Sequence, residues 1–232
     1  MSQRRSKEPI TCIIPARNAA KTIARAVGSA CIAGADHVFV YDDASTDETF
    51  DILETIWDRY PQLEFFSVCG DVKAGVNFAR NYLIEQADMG LIIPLDADDT
   101  LHDLNPLKAA YEPGRWVYTD YQERDGQTTN RIKGVAAGAL PRKNITGVTF
   151  LFHKSDWQKV GGYDPDFAYA EDYAFQCALV NAGIKPKYVD VVGYDRYLHP
   201  DGNERTAKAG LFWSFYRDLA RSKYPAAFAG TG

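Results

Sequence analysis

The sequence has few cysteines, and they lack the spacing of a structural metal site. Its 232 residues include four cysteines. No two of them form a C-x-x-C pair, which argues against structural zinc. Three of them fall in apolar stretches, so we interpret them as reduced core thiols of a protein in a reducing compartment. The four are Cys12, Cys31, Cys69 and Cys177.

Long apolar segments are also absent. No apolar run approaches the ~20 residues that a membrane-spanning helix needs. The polar residues 1–9 contain no apolar region of the kind found in secretory signals. The sequence therefore predicts no membrane span and a cytoplasmic location, and it leaves peripheral association at a membrane surface open.

The chain has no excess of basic residues. Lys and Arg together number 26 against 31 Asp and Glu, which gives a net charge of −5. Non-specific nucleic-acid binding needs a basic surface, so we do not expect it here. Glycine-rich phosphate loops are missing too, in both the G-x-x-x-x-G-K-[ST] and the G-x-G-x-x-G form. If a nucleotide diphosphate binds, a metal together with Lys or Arg must hold it.

Short apolar runs alternate with amphipathic stretches through the first hundred residues. Hydrophobic residues make up 46% of the chain, enough for a substantial core. Strands that alternate with helices form parallel sheets with right-handed crossovers. The predicted fold class is therefore α/β with a mostly parallel central sheet. Strands are predicted at residues 10–15, 37–41, 64–68 and from 91, and helices at residues 19–33, 45–60 and 75–87, the second opening on a capping box at residues 45–48.

The pattern becomes irregular after residue 99. One continuous domain, residues 1–232, is the simplest interpretation of the whole chain. Further strands are predicted at residues 115–122, 146–153 and 187–192, and helices at residues 105–111, 172–182 and 211–220, with a brief helix capped by Ser155.

Two predicted strands end in carboxylates. Asp42 and Asp43 follow the second strand, and Asp96, Asp98 and Asp99 follow the strand that begins at residue 91. The carboxyl ends of parallel strands meet at one edge of a sheet, where ligands bind. Oxygen ligands favour a hard ion such as Mg²⁺ or Mn²⁺, so this edge suits a metal and a nucleotide diphosphate. A solvated acidic turn that caps the next helix is the alternative.

Several short motifs, taken in order, resemble glycosyltransferase family 2. Each is weak alone, but the ordered set extends from about residue 10 to about residue 200. The matching segments are residues 13–18 (IIPARN), 40–47 (VYDDASTD), 75–81 (GVNFARN), 95–99 (LDADD), 161–164 (GGYD), 170–172 (AED) and 197–199 (YLH).

The resemblance implies a GT-A fold, which is Rossmann-like and three-layered, and an inverting transfer of a sugar from a nucleotide diphosphate donor. It implies Mn²⁺ or Mg²⁺ as cofactor and a hydroxyl-bearing acceptor, such as a glycan or a lipid-linked sugar. It also divides the chain into a nucleotide-sugar half (residues 10–100), an acceptor half (101–205) and a C-terminal helix (206–232). The Q-x-x-R-W signature of processive synthases is absent, which favours transfer of a single sugar.

The resemblance also gives roles to individual residues. Asp172 would be the general base and Asp43 would contact the base of the nucleotide, most often uracil. The metal ligands would be Asp96, Asp98 and His199, and nucleotide contacts would come from Pro15, Arg17, Asp43, Arg80, Asp96 and Ala97.

Local alternatives exist for three of these residues. Asp172, with Glu171, could serve only as a helix cap. His199 could be an ordinary loop residue before Pro200, and Arg17 could simply pair with an acid. Two other classes of protein also fit the sequence in part. A nucleotidyltransferase would prefer a glycine-rich basic loop where Ala16-Arg17-Asn18 stands, and a non-catalytic binding module would not need to retain the acids at 96, 98 and 172.

Overall fold

The computed structural model describes residues 8–67, 72–198 and 203–229. Four parallel strands form most of a five-stranded sheet of order β3-β2-β1-β4-β8, and β8 is antiparallel to β4. The predicted parallel α/β sheet is thus confirmed. The strands are β1 (Ile10–Ala16), β2 (His37–Asp42), β3 (Leu63–Ser67), β4 (Leu91–Pro94) and β8 (Phe152–His153).

Helices cover both faces of this sheet. Side chains alternate along β1, so that Ile13 joins one buried cluster whereas Cys12 and Ile14 join the other. The first cluster includes residues of α3 (Val76–Gln86) and α6 (Glu171–Asn181), and the second includes residues of α1 (Ile23–Ala33) and α2 (Thr49–Trp57). The result is the three-layer arrangement that the resemblance implied.

The second half is more regular than predicted. It contributes a four-stranded sheet of order β5-β9-β6-β7, in which β6 and β9 pair in parallel over ten positions. Its strand β9 runs for 13 residues, well beyond the predicted 187–192, whereas residues 133–151 between β7 and β8 contain no α-helix or sheet strand. The strands are β5 (Thr100–Leu101), β6 (Arg115–Arg124), β7 (Thr129–Ile132) and β9 (Lys185–Tyr197), and the remaining helices are α4 (Asn105–Ala110), α5 (Lys154–Val160) and α7 (Asn203–Lys223).

The apolar run predicted as a strand over residues 146–153 is mostly a loop. Only Phe152 and His153 belong to a strand, and Leu151 forms a single bridge with Val117. Phe150 and Leu151 are fully buried without belonging to a sheet strand. The apolar composition of this segment correctly indicates that it is buried, but composition does not distinguish a strand from a buried loop.

Two predicted helix caps were wrong. The hydroxyl of Ser45 donates to the carboxylate of Asp42 instead of capping a helix, because α2 begins only at Thr49. The cap of α5 is the side chain of His153, which accepts from the backbone N–H of Ser155. Trp57, the last residue of α2, is 56% exposed.

The last helix, α7, buries only some of its apolar side chains. Tyr216 is buried and packs against Phe167, whereas Phe212 and Phe215 are exposed. Within the residues that the structure describes, no helix has both the length and the apolar character needed to cross a membrane.

Candidate active site

The carboxyl ends of β1, β2 and β4 meet at one edge of the first sheet, as predicted. Ala16 pairs with Asp42 in the β1–β2 register, and the backbone N–H of Asp43 donates to the carbonyl of Ala16 at 2.8 Å. On the other side of β1, the N–H of Leu95 donates to the carbonyl of Ile13 at 3.0 Å. The two acidic strand ends therefore flank the end of β1.

Asp43 is buried and fastens the loop that leads into α3. Its carboxylate oxygens accept from the backbone N–H groups of Ala74 and Gly75 at 2.6 and 2.9 Å. Arg17 donates to the backbone carbonyl of Asp43 at 3.2 Å, so it contacts an acidic residue without pairing with its charge. Pro15, on β1, is half-buried and lies opposite Tyr41.

Asp96, Asp98 and Asp99 form a compact cluster. Each offers a carboxylate oxygen, and these oxygens lie within 4.8 Å of one another. Asp96 and Asp98 are half-buried, as is Ala97 between them, whereas Asp99 is buried and accepts from the backbone N–H of Tyr197 at 3.0 Å. Burial and the charges of Asp96 and Asp98 raise the pKa of Asp99 to about 9.

This cluster fits a divalent cation. An all-oxygen donor set is the one that Mg²⁺ and Mn²⁺ prefer, and a cation would relieve the repulsion that raises the pKa of Asp99. The sequence predicted Asp96 and Asp98 as ligands, and the structure adds Asp99 as a third candidate. The third predicted ligand, His199, lies outside the described residues.

Arg80 connects this cluster to α6. Its guanidinium is buried and pairs with Asp96 at 3.0 Å and with Glu171 at 2.9 Å. Sequence reasoning proposed Arg80 as a nucleotide contact and missed its pairing with Glu171. The Glu171-Asp172 motif pointed to Glu171 as well as to Asp172. The sequence could not identify Arg80 as the partner of Glu171, because the two residues are 91 positions apart.

Replacing Arg80 by Met should lower the free energy of unfolding by about 3–5 kcal/mol, because Glu171 would stay buried without its guanidinium partner. Urea denaturation would measure the change. The control is Arg115→Met, which removes an exposed pair with Glu112 at 3.2 Å and should cost less than about 1 kcal/mol. Equal losses in the two variants would contradict a stabilising role for the buried pair.

Asp172 lies in the first turn of α6. Its carboxylate accepts from Nδ2 of Asn144 at 2.6 Å and from the backbone N–H of Tyr173 at 2.8 Å. Burial and the charge of Glu171 raise its pKa to about 6, although Arg80 and the two hydrogen bonds act in the opposite direction. The helix has Ala170 at its N-cap, so neither acid occupies the N-cap position, although Asp172 accepts one N–H of the first turn.

One cavity of about 470 Å³ brings the acids of the two halves together. Its lining includes Asp96 and Asp99 from the first half and Asp172 from the second, together with the guanidinium-bearing Arg196. Arg196 follows the predicted 187–192 strand and was not among the predicted site residues. Aromatic and polar side chains complete much of the wall, among them Tyr121, Asn144, Tyr169 and Trp213.

Not every predicted site residue lines this cavity. Asp98 belongs to the acidic cluster but is not part of the cavity wall. The predicted nucleotide contacts other than Asp96 do not line the cavity either. These residues are Pro15, Arg17, Asp43, Arg80 and Ala97.

Solved structures to which this chain is similar include glycosyltransferases of the GT-A fold. The chain is similar to TarS from S. aureus, with a TM-score of 0.64 and 18% identity, over 82% of this chain and 60% of the TarS 1-349 chain. It is also similar to GalNAc-T7 solved with UDP, GalNAc and Mn²⁺, with a TM-score of 0.66 and 15% identity, over 97% of this chain and 52% of that one. The fold is therefore GT-A.

The fold alone does not establish the family, but the sequence does. The family model described as glycosyl transferase family 2 matches residues 11–169. The chain therefore belongs to glycosyltransferase family 2, as its motifs indicated.

The curated relatives that match most of the chain include two polysaccharide synthases. Chondroitin synthase of Escherichia coli is 26% identical over 203 residues, 82% of this chain and 29% of that protein. Hyaluronan synthase of Pasteurella multocida is 25% identical over 215 residues, 87% of this chain and 22% of that protein. The chain thus spans less than a third of the length of either relative.

Proposed function

We propose that this chain transfers a single sugar, with inversion, from a nucleotide diphosphate sugar to an acceptor hydroxyl with the help of a divalent cation. The observation that carries the proposal is the cavity in which Asp172 of the second half faces Asp96 and Asp99 of the first. An acid that can accept a proton and an acidic cluster that fits a cation are the two components that such a transfer needs.

In the proposed reaction, the Asp172 carboxylate takes the proton of the acceptor hydroxyl. The acceptor oxygen bonds to the anomeric carbon as the bond from that carbon to the phosphate oxygen breaks, and the nucleoside diphosphate leaves with the bonding electrons. A bound divalent cation supplies charge stabilisation for the departing diphosphate. Because the base must be ionised, a pKa of about 6 for Asp172 keeps it functional near neutral pH.

The chain's own residues would organise the donor. Asp96 and Asp98, with Asp99 as the structural addition, would hold the cation, and Arg196, which lines the same cavity and whose charge acts on Asp99, would contact the diphosphate. We propose that His199, which lies three residues after Arg196 in the sequence, contacts the cation or the diphosphate.

Nucleotide contacts would come from the sheet edge. We propose Pro15, Arg17, Asp43 and Ala97 for this role, with Arg80 setting the position of Asp96 from behind. The buried Asp43 keeps free lone pairs on oxygens that already accept backbone hydrogen bonds, and these could receive an N–H of the base.

A UDP-sugar is the donor that we propose. TarS was solved with UDP and with UDP-GlcNAc, and GalNAc-T7 with UDP, GalNAc and Mn²⁺. For the acceptor, a sugar hydroxyl of a glycan or a lipid-linked sugar fits a cavity whose wall includes Tyr169 and Trp213, since aromatic rings pack well on the apolar faces of sugars.

A thermal-shift screen with UDP-, GDP- and dTDP-sugars, each with and without Mn²⁺, tests the donor and the metal together. A specific ligand at 100 times its Kd stabilises the folded state by about 2.7 kcal/mol. We expect UDP-sugars to raise the melting temperature only when Mn²⁺ is present. If UDP-sugars raised the melting temperature equally in the presence of a chelator, the proposed role of the metal in donor binding would be contradicted.

Slow release of UDP from the donor in the presence of Mn²⁺ would then separate an enzyme from a binding module. Release of pyrophosphate from a nucleoside triphosphate and a sugar phosphate would instead indicate a nucleotidyltransferase.

A further inference from the structure

Asn144 contacts the proposed base although no motif of the sequence points to it. It lies in the loop before Ile145 and lines the cavity. Its Nδ2 atom donates to Oδ2 of Asp172 at 2.6 Å, across 28 residues of sequence. A short hydrogen bond from a neutral donor to a carboxylate holds that carboxylate in one orientation.

The orientation of the Asn144 amide is fixed by three donors on its oxygen. Oδ1 accepts from Nε2 of Gln176 at 2.9 Å and from the backbone N–H groups of Gly147 and Thr146 at 3.0 and 3.2 Å. A flipped amide would turn its nitrogen toward these three donors and its oxygen toward the Asp172 carboxylate, which would be repulsive on both sides. The amide nitrogen must therefore face Asp172.

Gln176 holds the Asn144 side chain in place. Its side chain is fully buried, one turn after Asp172 on the same helix. Besides Asn144 it donates to the backbone carbonyl of Gly147 at 3.1 Å. Residues 172 and 176 are four positions apart and share one face of α6, so the loop amide is held between them.

We infer that Asn144, oriented by Gln176, is a positioning residue that fixes the Asp172 carboxylate and favours its charged form for proton abstraction. The inference rests on the proposed function, and it deepens the account of the same site. A donor amide bonds more strongly to the ionised carboxylate than to the neutral carboxyl, so this contact opposes the burial and the like charge of Glu171, which favour the neutral form.

Other titratable groups also face Asp172 and must stay unchanged in any test. They come from the same helix, from α3, from β6 and from the loop that precedes α6. They are Glu171, Arg80, Tyr121 and Tyr163, and the charged groups that share the cavity with Asp172 are Asp96, Asp99 and Arg196.

The test measures kcat, donor KM and the pH profile of kcat in wild type, Asn144→Ala, Gln176→Met and the control Asn130→Ala. Asn130 is exposed on β7 and its side chain donates only a 3.5 Å contact to Thr128. For Asn144→Ala we expect kcat to fall about tenfold or more, with donor KM within about twofold. The acid limb of the profile, near pH 6 in wild type, should move up by about half to one unit. Gln176→Met should change kcat and the position of the acid limb in the same direction by smaller amounts. The control Asn130→Ala should match wild type.

A double-mutant cycle separates positioning from general structural support. In an Asp172→Asn background, Asn144→Ala should cause little further loss of kcat, because the group that it positions is already absent. Additive losses, or an unshifted acid limb in the single variant, would overturn the inference. So would loss of folding in both Asn144→Ala and Gln176→Met, as judged by circular dichroism, since the two residues would then be structural supports.

The outcome for the proposed function is read separately. If wild type transfers no sugar, or Asp172→Asn is fully active, the proposed function fails. If wild type is active, Asp172→Asn is inactive and Asn144→Ala equals wild type, only the inference about Asn144 fails.

Discussion

Asp172→Asn should lower kcat by about a thousandfold while leaving donor affinity nearly unchanged. General-base catalysis contributes roughly 10²–10⁴ to rate, and the amide of Asn cannot take the proton of the acceptor hydroxyl. The donor should still bind, because the cluster of Asp96, Asp98 and Asp99 is unaltered. Steady-state kinetics with a UDP-sugar, combined with a donor-binding titration, would measure the two effects.

The same variant should fold at least as stably as wild type at pH 7.5. The pKa of Asp172 is raised in the folded protein, so the folded state holds this proton more tightly than the unfolded chain does. Stability from this group is therefore present at low pH and is lost as pH rises from about 4 through about 6. A neutral Asn avoids that loss, and a thermal melt would show it.

Asp51→Asn is a matched control, because Asp51 also lies in the first turn of a helix, α2, but is exposed on the surface. It should keep wild-type kcat. If Asp172→Asn lost donor affinity and turnover to the same degree, Asp172 would be a binding residue and not the base.

Asp98→Asn should abolish most of the metal-supported transfer. We expect kcat to fall by at least about 100-fold, because a weakly held cation would no longer stabilise the charge of the departing diphosphate. The fold should persist, since Asp98 contributes to the repulsion that raises the pKa of buried Asp99. Activity assays across a Mn²⁺ titration, with melting temperatures taken without metal, would measure both.

Asp88→Asn provides the comparison for this variant, since Asp88 is an exposed acid beyond the end of α3. It should leave the metal dependence unchanged. Full activity of Asp98→Asn in chelator-treated buffer would show that the acidic cluster does not hold a required cation.

Much of the fold could be predicted from the first hundred residues. Strands there are short apolar runs flanked by amphipathic helices, so local composition and periodicity indicate the elements. The second half was harder, because its pairings are long-range. β6 and β9 are neighbours in the sheet although about 70 residues separate them, and the buried loop before β8 has the same apolar composition as a strand.

The candidate site was predictable where it follows directly from motifs. Asp96, Asp98 and Asp172 stand in short sequence patterns. Asp99 was identified only as part of an acidic run, and its burial against the N–H of Tyr197 depends on a contact 98 residues away. Arg80 was expected near the nucleotide, yet its charge is occupied by Asp96 and Glu171.

The sequence by itself determined that acids end two parallel strands, because strand and helix periodicity is local and the chain direction of a parallel sheet sends those ends to one edge. It also determined the family, because the identity and order of the motifs can be read from the sequence without knowing how the loops between them fold. Only the tertiary structure decided that Asp172 shares a cavity with Asp96 and Asp99 and that Asn144 and Gln176 hold it. Those contacts depend on how α6 and the loop around residue 144 pack together, and packing between distant segments leaves no periodic signal in the sequence.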